Sequence, residues 1–239
     1  MKPILTYILV TLSAIVLTAC GRDGDGSATS SVNVPLSAAI QNSVDRSHAY
    51  KFSVSGYYGT NKNTLTGTGS RTVTAASPSS FNGAAYQKSI GITTGSAITA
   101  GGQELNLDVR SVEYINPATS TPAFDDSETV FAAYSGYAYP AKASTGDGRK
   151  YGSVTLYTNS SMTTRSGSGT ISYQLLPNDS TSLILKQVTK IYNSSKKQTL
   201  ESITTSTVTT KGVVTDVSFE QYRYASSGST PYYIKYTFK

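Results

Sequence analysis

The stretch Tyr232-Tyr233-Ile234-Lys235-Tyr236-Thr237-Phe238-Lys239 carries the pattern that decides the fold. Every second residue in it is a large apolar or aromatic one, and the residues between them are Tyr, Lys and Thr. A period of two is typical of a strand with one buried face and one solvated face. The stretch therefore predicts a β-strand over residues 232–238 in a half-buried sheet.

Similar patterns recur along most of the chain. Further strands are predicted over 50–58, 64–75, 85–93, 104–115, 129–139, 152–158, 169–176, 183–192, 198–210 and 213–224. Turn-forming Gly, Asn, Asp and Pro residues separate these strands, and no helical pattern comes between them. The sequence therefore predicts an all-β protein, an antiparallel meander that forms a barrel or a sandwich-like structure.

One short helix is predicted ahead of these strands, at 35–44. Leu36, Ile40 and Val44 recur there at every fourth position, which would place them on one face of a helix. So short a helix is stable only when it packs against other elements. We therefore expect it to dock on the sheet.

The composition bounds the function. Of the 239 residues only 14% are charged, whereas 18 are Tyr, and the chain has a single His and a single Cys. Aromatic and Thr-rich chains favour pleated, half-buried surfaces, and disorder needs the opposite balance. A zinc site needs several His or Cys ligands, so we expect no metal and no other cofactor. Because catalytic groups are nearly absent, we also expect no enzyme activity, and we expect no nucleic-acid partner.

The amino-terminal residues have the features of a lipoprotein signal peptide. Lys2 is followed by an almost uncharged apolar run from Ile4 to Leu17, and then by Leu17-Thr18-Ala19-Cys20. The apolar run is too short to span a bilayer comfortably as a permanent helix. The tetrapeptide resembles the lipobox of bacterial lipoproteins. This resemblance implies cleavage after residue 19, a diacylglycerol on the sulfur of Cys20, and acylation of the new amino terminus.

The residues after Cys20 bear on location and domain organisation. Gly21 stands where a lipoprotein retained in the inner membrane would typically carry Asp, and this resemblance implies the outer membrane of a Gram-negative bacterium. The protein would then be lipid-anchored, on the periplasmic face or the cell surface. We expect a signal peptide at 1–19, a lipidated Cys with a flexible tether at 20–34, and an all-β domain at 35–239. A flexible tether of this length spans about 20 Å on average.

Two stretches of the predicted sheet have similar sequences. Ser53-Val54-x-x-Tyr57 … Thr64-x-x-Gly67-x-Gly69 recurs 100 residues later as Ser153-Val154-x-x-Tyr157 … Thr164-x-x-Gly167-x-Gly169. Downstream, Glu113-Tyr114 in its strand is echoed by Glu220-x-Tyr222. If the similarity reflects duplication, 50–122 and 150–231 are two similar halves of one structure or two small barrels. The alternative is chance similarity in a chain rich in Ser, Thr and Gly.

Three acidic residues, Asp125, Asp126 and Glu128, form the densest acidic cluster of the sequence. They could bind a hard cation or act as the paired carboxylates of a glycan hydrolase. We expect them instead to form a solvated loop before the strand at 129–139. His48 is expected just before the first long strand, and nothing around it indicates a catalytic triad.

Tyrosine and lysine are the remaining candidates for binding. Tyr residues crowd three predicted strands: Tyr134, Tyr137 and Tyr139, and then Tyr222, Tyr224, Tyr232, Tyr233 and Tyr236. Such rows can form a binding surface or fill a core. Residues 181–239 carry eight Lys or Arg residues against three acidic ones. This excess could meet lipid phosphates or an acidic glycan, or could simply keep strand edges from aggregating.

A wider resemblance rests on turn and strand patterns. Tyr50–Gly69, Phe81-Asn82-Gly83, Gly146-Asp147-Gly148 and Gly152–Tyr173 resemble the Thr/Ser/Tyr-rich β-structured lipoproteins of Gram-negative bacteria. This resemblance implies no activity. Tyr134-x-Gly136-x-Ala138-Tyr139, followed by Gly167-x-Gly169-x-Ile171, is also similar to the barrel halves of surface lipoproteins that bind host proteins.

The sequence therefore leads to three functional hypotheses. The main one is an outer-membrane lipoprotein with a non-enzymatic binding or envelope-structural role. Its partners would be membrane lipid at the anchor and an envelope protein, glycan or lipid at the barrel. The alternatives are a periplasmic lipid or lipoprotein carrier and, less favoured, a carboxylate-dependent glycan hydrolase centred on Asp125, Asp126 and Glu128.

Overall fold

The computed structural model describes residues 32–127, 130–136, 138–225 and 230–239. Within these ranges the chain forms one α-helix, α1 (Leu36–Val44), and sixteen β-strands. The strands are β1 (Asn33–Val34), β2 (His48–Tyr58), β3 (Asn63–Val73), β4 (Ser77–Phe81), β5 (Ala84–Thr99), β6 (Glu104–Asn106), β7 (Val109–Asn116), β8 (Thr121–Asp126), β9 (Phe131–Ser135), β10 (Ala143–Ser144), β11 (Gly148–Tyr157), β12 (Arg165–Asp179), β13 (Ser182–Tyr192), β14 (Gln198–Thr209), β15 (Val214–Arg223) and β16 (Tyr232–Phe238).

Twelve antiparallel strands form one closed barrel. The order around the barrel is β3, β2, β16, β15, β14, β13, β12, β11, β9, β8, β7 and β5, and β5 pairs with β3 to complete the ring. The predicted strand at 232–238 is confirmed as β16, which lies between β15 and β2. Of the two architectures left open by the sequence, the barrel is therefore the correct one.

Four short strands lie outside the ring order. β4 and β6 each pair with β5, and β1 pairs with β10 in a separate two-stranded sheet. The end of the barrel that carries α1 and the turn at 210–213 is called the helix end below. The opposite end, which carries the turns at 59–62, 158–164 and 193–197, is called the hairpin end.

Alternation along each strand separates the interior of the barrel from its outer wall. In β13, Leu183, Leu185 and Gln187 are buried inside, whereas Ile184 and Lys186 between them face outward and are partly exposed. Outward positions elsewhere are mostly Ser, Thr and Lys. The apolar interior residues form two main clusters, one beneath β11 to β15 and one beneath β2, β3, β5 and β16. A strand with one buried face and one solvated face needs apolar residues on the first face and polar residues on the second.

The helix α1 confirms the predicted helix at 35–44 and packs at one end of the barrel. Leu36, Ala39 and Ile40 join the first of the two apolar clusters. Two further contacts fix the helix from its carboxyl-terminal side: the amide of Ala76 donates to the carbonyl of Val44 at 3.0 Å, and His48 Nε2 lies 3.1 Å from the carbonyl of Ser43. Nine residues form a stable helix here because their apolar face is docked.

Glycine permits a close approach of side chains inside the barrel. A Cβ at Gly69 would lie 2.3 Å from Cζ of Phe52, so the Phe52 ring occupies the space that any other residue there would need. Gly169, in the second copy of the repeated sequence, is crowded in the same way by Ile191, whose Cδ1 would lie 2.7 Å from an added Cβ. The two Gly-x-Gly segments thus have the same role in the wall.

The downstream part of the sequence repeat has no such correspondence. Glu113 is buried inside the barrel, whereas its counterpart Glu220 lies on the outer wall. Both halves, 50–122 and 150–231, contribute strands to one ring, so they do not form two barrels. Duplication itself remains a prediction.

Several strand boundaries differ from the sequence-based expectation. β5 extends to Thr99 and β4 was not predicted, and the single strand expected over 104–115 is divided into β6 and β7. The division falls at Asp108, whose carboxylate accepts the amide of Gly95 at 3.0 Å while its own amide donates to Asn106 Oδ1 at 2.8 Å. These side-chain bonds replace ladder bonds, so the backbone turns there.

The amino-terminal predictions fall outside the described residues. These are the signal peptide at 1–19, Cys20 and all but the last few residues of the tether at 20–34. Within the part of the chain that the structure describes, no helix is both long and apolar enough to cross a membrane.

Candidate functional sites inside and outside the barrel

A cluster of charged side chains lies inside the barrel. Arg71 is buried at 7% exposure, and its Nη1 donates to Thr93 Oγ1 at 2.8 Å. The guanidinium lies over Gly91, where a Cβ would come within 2.7 Å of Nη2. Asp125, Glu113 and Asp216 are all buried and act electrostatically on Arg71. These four residues are called the interior charged cluster below.

The charge balance of this cluster changes the titration of its members. Burial raises the pKa of Asp216 to about 7, although Ser206, which donates to Asp216 Oδ1 at 2.5 Å, and Arg71 both oppose the rise. Burial also raises the pKa of Tyr50, and Asp216 adds to that rise. Burial lowers the pKa of Arg71, against the effect of Asp125 and Glu113. Because burial disfavours the charged carboxylate more than Ser206 and Arg71 favour it, protonation of Asp216 is favourable up to about neutral pH.

The expected acidic loop at 125–128 is not what the structure contains. Asp125 and Asp126 belong to β8, so they point to opposite sides of the barrel wall. Asp125 is buried inside at 3% exposure, whereas Asp126 lines an outer cleft beside Arg110. The prediction of a solvated loop is therefore wrong for Asp125, because pairing with β7 and β9 draws it into the wall. Glu128 lies outside the described residues, as does Thr129, where the next strand was expected to begin.

In the described ranges, no group of side chains is arranged as a set of metal ligands or as a catalytic triad. No set of three or more His, Cys, Asp or Glu residues there is placed to hold a metal ion. His48 lies within β2 rather than before it, and it is buried near α1. Burial lowers the pKa of His48, and the nearby carbonyl of Ser43 opposes this.

The tyrosines divide between the interior and the outer wall. Tyr232 and Tyr236 are buried inside, where Tyr232 donates to Gln221 Oε1 at 2.7 Å. Tyr139 is also buried and accepts a hydrogen bond from Gln187 Nε2. It belongs to the apolar cluster beneath β11 to β15, and Tyr134 packs against this cluster. Tyr137 lies outside the described residues. Core filling is therefore confirmed for Tyr139, Tyr232 and Tyr236, and a binding surface stays a prediction for the outward tyrosines.

The outward tyrosines form a row across adjacent strands near the hairpin end. Tyr57 of β2 pairs with Tyr233 of β16, which pairs with Tyr222 of β15. The rings of Tyr222 and Tyr233 stack at 4.4 Å between centroids, and those of Tyr57 and Tyr233 lie 5.7 Å apart. Tyr224, at 39% exposure, follows β15. Tyr57, Tyr222, Tyr224 and Tyr233 are called the outer tyrosine row below.

Two carboxylates fix the phenol groups of this row. Glu220 Oε2 accepts hydrogen bonds from Tyr233 at 3.1 Å and from Tyr222 at 3.3 Å. Glu201 Oε2 accepts one from Tyr224 at 3.3 Å. Partial burial and the adjacent carboxylates raise the pKa of Tyr222, Tyr224 and Tyr233. The phenols are therefore protonated donors at neutral pH, held by defined acceptors.

Three lysines lie beside the outer tyrosine row or the carboxylates that bind it. Lys235 Nζ lies 3.2 Å from Glu220 Oε1, and Lys190 Nζ lies 3.8 Å from Glu201 Oε2. Lys62 Nζ lies 5.5 Å from the centroid of the Tyr57 ring, within the range of a cation–π contact. The surface thus combines ordered aromatic rings with paired charges of both signs. Such a surface is suited to binding another molecule, because little side-chain entropy remains to be lost.

Sequence reasoning found the tyrosines but missed the interior charged cluster. Arg71 has the same strand parity as Leu65 and Val73, which are buried, so the alternation itself placed Arg71 inside. Asp216 has the same parity as Val214, which is also buried. A charged residue at an inward position was therefore a readable signal.

The fold and these sites define a class of protein: a closed antiparallel barrel with an apolar and partly charged interior and a polar outer wall that carries a tyrosine row. The chain matches none of the protein-family models, curated proteins or solved structures with which it was compared.

Proposed function

We propose that the protein is an outer-membrane lipoprotein, anchored through Cys20, whose barrel has a non-enzymatic role and binds an envelope protein through the outer tyrosine row. The observation that carries the binding role is this row, in which Tyr57, Tyr222 and Tyr233 stand together on an otherwise Ser- and Thr-rich wall. Tyrosine is enriched at protein interfaces because it offers a large, stiff contact area with a polar tip.

The ring geometry favours a protein partner over a sugar. Tyr222 and Tyr233 are nearly parallel, at 29°, and cover each other's faces. A sugar would need an open aromatic face to stack on, whereas a protein segment can pack against ring edges and hydrogen-bond to the carboxylates. The paired charges of Glu220 with Lys235, and of Glu201 with Lys190, would form the polar border of the interface.

Within the described residues, neither alternative function is supported by comparable geometry. A carrier of acyl chains needs apolar space inside the barrel, but the described inward side chains pack in the two apolar clusters and the interior charged cluster. A cavity between α1 and the β7–β8 hairpin has a volume of about 10 Å³, which suits a single water molecule. A glycan hydrolase needs two carboxylates on one side of a cleft, and Asp125 and Asp126 lie on opposite sides of the wall.

Site-specific photo-crosslinking in cells tests the binding role. A photoreactive amino acid at exposed position 64, which pairs with Tyr57, should capture a partner protein. Tyr222→Ser combined with Tyr233→Ser should abolish the adduct. Tyr157→Ser is the matched control, because Tyr157 is an outward tyrosine on β11 and outside the row. The binding role is wrong if the adduct survives the double substitution or is lost equally in Tyr157→Ser.

Anchorage needs a separate test. Globomycin, which blocks lipoprotein signal peptidase, should cause a larger precursor to accumulate, and mass spectrometry of untreated protein should find the amino terminus at an acylated Cys20. The Cys20→Ser chain should not be processed at this site. A mature size that is unchanged by both treatments would reject the anchor while leaving the crosslinking result to stand by itself.

A further inference from the structure

Five cations surround the place where the described chain begins, at the helix end of the barrel. Lys142 precedes β10, the strand that pairs with β1, and Arg149 and Lys150 lie at the beginning of β11. Lys211 is in the β14–β15 turn next to Gly212, where a Cβ would lie 3.4 Å from Pro35. Lys186 faces outward on β13. Lys142, Arg149, Lys150, Lys186 and Lys211 are called the basic collar below.

Two outer clefts join three cations of the basic collar. One cleft, of about 500 Å³, is lined by Arg149 and Lys150 together with Ser135 and Ser153. The other, of about 390 Å³, is lined by Arg149 and Lys186. Because Arg149 borders both clefts, Arg149, Lys150 and Lys186 form one surface across β9 and β11 to β13.

The collar charges are not neutralised by salt bridges. Among the described residues none of the five cations forms an ion pair, whereas Lys190 and Lys235 further along the wall do. Asp147 and Asp179, two acids at this end, are held in turns, where Asp147 accepts the amide of Ser144 and Asp179 accepts that of Thr181, each at 2.7 Å. With the exposed Asp45 they number three against five cations, so this end has a positive excess.

The positive charges of the carboxyl-terminal quarter are distributed differently in the structure from what the sequence suggests. The excess of cations over residues 181–239 does not form one surface, because Lys211 lies at the helix end and Lys186 in the helix-end half of β13, while Lys196 and Lys197 lie in a hairpin-end turn. Lys142, Arg149 and Lys150, from another part of the chain, complete the basic collar instead.

We propose that the basic collar docks on an anionic phospholipid surface and orients the barrel with its hairpin end, and so its outer tyrosine row, away from the membrane. The tether that leads to Cys20 enters the barrel at β1, within this collar, and a flexible tether of its length spans about 20 Å. That length allows the collar to come within a Debye length, about 8 Å, of the lipid phosphates. Each basic residue near such a surface increases membrane partitioning about fivefold.

Docking of the basic collar rests on the proposed anchorage, which brings the barrel to a membrane, whereas the charge of the collar is a property of the barrel itself. An anchor at the end of a flexible tether, as the sequence predicts, holds the protein at a membrane without setting its orientation. Electrostatic attraction at one end would set that orientation. It would leave Tyr57, Tyr222, Tyr224 and Tyr233 accessible to a partner.

Lysine footprinting on vesicles tests the proposal. The full chain, purified from cells and reconstituted into phosphatidylcholine vesicles with or without phosphatidylglycerol, would be treated with an amine-acylating reagent and analysed by mass spectrometry. With phosphatidylglycerol, Lys142, Lys150, Lys186 and Lys211 should be modified several-fold more slowly, and high salt should remove this protection. Lys62, Lys196 and Lys197 at the hairpin end are internal controls and should not change. Equal rates in both vesicles, or equal protection of both ends, would overturn the proposal.

A charge-reversal pair strengthens the test and separates it from anchorage. Arg149→Glu with Lys150→Glu should remove the protection of Lys142 and Lys186, whereas the control pair Lys196→Glu with Lys197→Glu should preserve it. The same mass spectra report whether Cys20 is acylated. Protection in an unacylated chain would reject the anchor and support docking by the collar. An acylated chain without protection would reject docking and leave the anchor in place.

Discussion

The interior charged cluster and the outer tyrosine row contain the same kinds of residue in two different environments. Inside, the buried Arg71 meets the buried carboxylates of Glu113, Asp125 and Asp216. On the outer wall Lys235 meets Glu220, with the two side chains 38% and 17% exposed. Water screens the outer pair, whereas the inner groups have only each other and a few hydroxyls to replace it.

The difference teaches that position in the wall, more than residue type, sets the energetic importance of a charge. A surface ion pair contributes little to stability, but a buried charge that loses its partner is strongly destabilising. The inner cluster should therefore govern folding, while the outer row is free to serve binding. Four predictions test this contrast.

Removal of the buried cation should have the largest effect. Arg71→Met leaves the carboxylates of Glu113 and Asp125 buried without their cation, and we expect a loss of about 3–5 kcal/mol in the free energy of unfolding. Urea unfolding at neutral pH would measure it. The control Arg165→Met removes an exposed strand arginine and should change stability by no more than about 0.5 kcal/mol. Equal effects of the two substitutions would show that the inner charge has no special role.

Asp216 should make stability depend on pH. Its pKa is raised from about 3.9 in an unfolded chain to about 7 in the fold. The stabilising contribution of the protonated carboxyl is therefore present below about pH 4 and is lost as the pH rises through about 7. Because Asn cannot ionise, Asp216→Asn should gain up to about 4 kcal/mol relative to the parent protein between pH 4 and pH 8. Parallel stability curves over this range would contradict the assignment.

Close packing inside the barrel should be sensitive to a single methyl group. Gly69→Ala places a Cβ against the Phe52 ring, and we expect a loss of about 1–3 kcal/mol in the free energy of unfolding. Gly101→Ala is the control, because the nearest atom to its Cβ would be Thr99 Oγ1 at 3.9 Å. Thermal unfolding of both variants would reveal the difference. A neutral Gly69→Ala would mean that the Phe52 ring and the carbonyl oxygen of Thr94, which would lie 2.4 Å from the Cβ, can both move aside.

The smallest effect is expected on the outer wall. Glu220→Gln removes the ion pair with Lys235 but retains an acceptor for Tyr222 and Tyr233, so stability should fall by about 0–1 kcal/mol. Added salt should reduce even this difference. A loss comparable to that of Arg71→Met, measured by the same urea unfolding, would show that the outer row is structural rather than a surface available for binding.

Local pattern was sufficient for most of the fold. The helix at 35–44 and strands such as 232–238 follow from periodicity, because one buried face imposes a period on the sequence. β8 was not predicted, because Asp125 and Asp126 look like a loop when read alone. Long-range pairing with β7 and β9 makes the strand.

The functional sites also divide into parts that the sequence predicted and parts that it did not. Tyr222, Tyr224 and Tyr233 of the outer row were named from the sequence as candidates for binding, Tyr57 was not, and Cys20 remains a sequence-based prediction. The grouping of Tyr57 with Tyr222 and Tyr233 was not predicted, because it depends on β16 lying between β2 and β15. Arg71 and Asp216 are likewise far apart in the sequence, and only the closed barrel brings them into one interior.

By itself, the sequence determined which face of each strand is buried, since the alternation of apolar and polar residues is local and survives in any sheet. The tertiary structure alone decided that the sheet closes and which residues then become neighbours. Closure depends on the register of every pair around the ring, and register is a sum of many weak, long-range contacts. For that reason the interior charged cluster, the outer tyrosine row and the basic collar became visible only in the folded barrel.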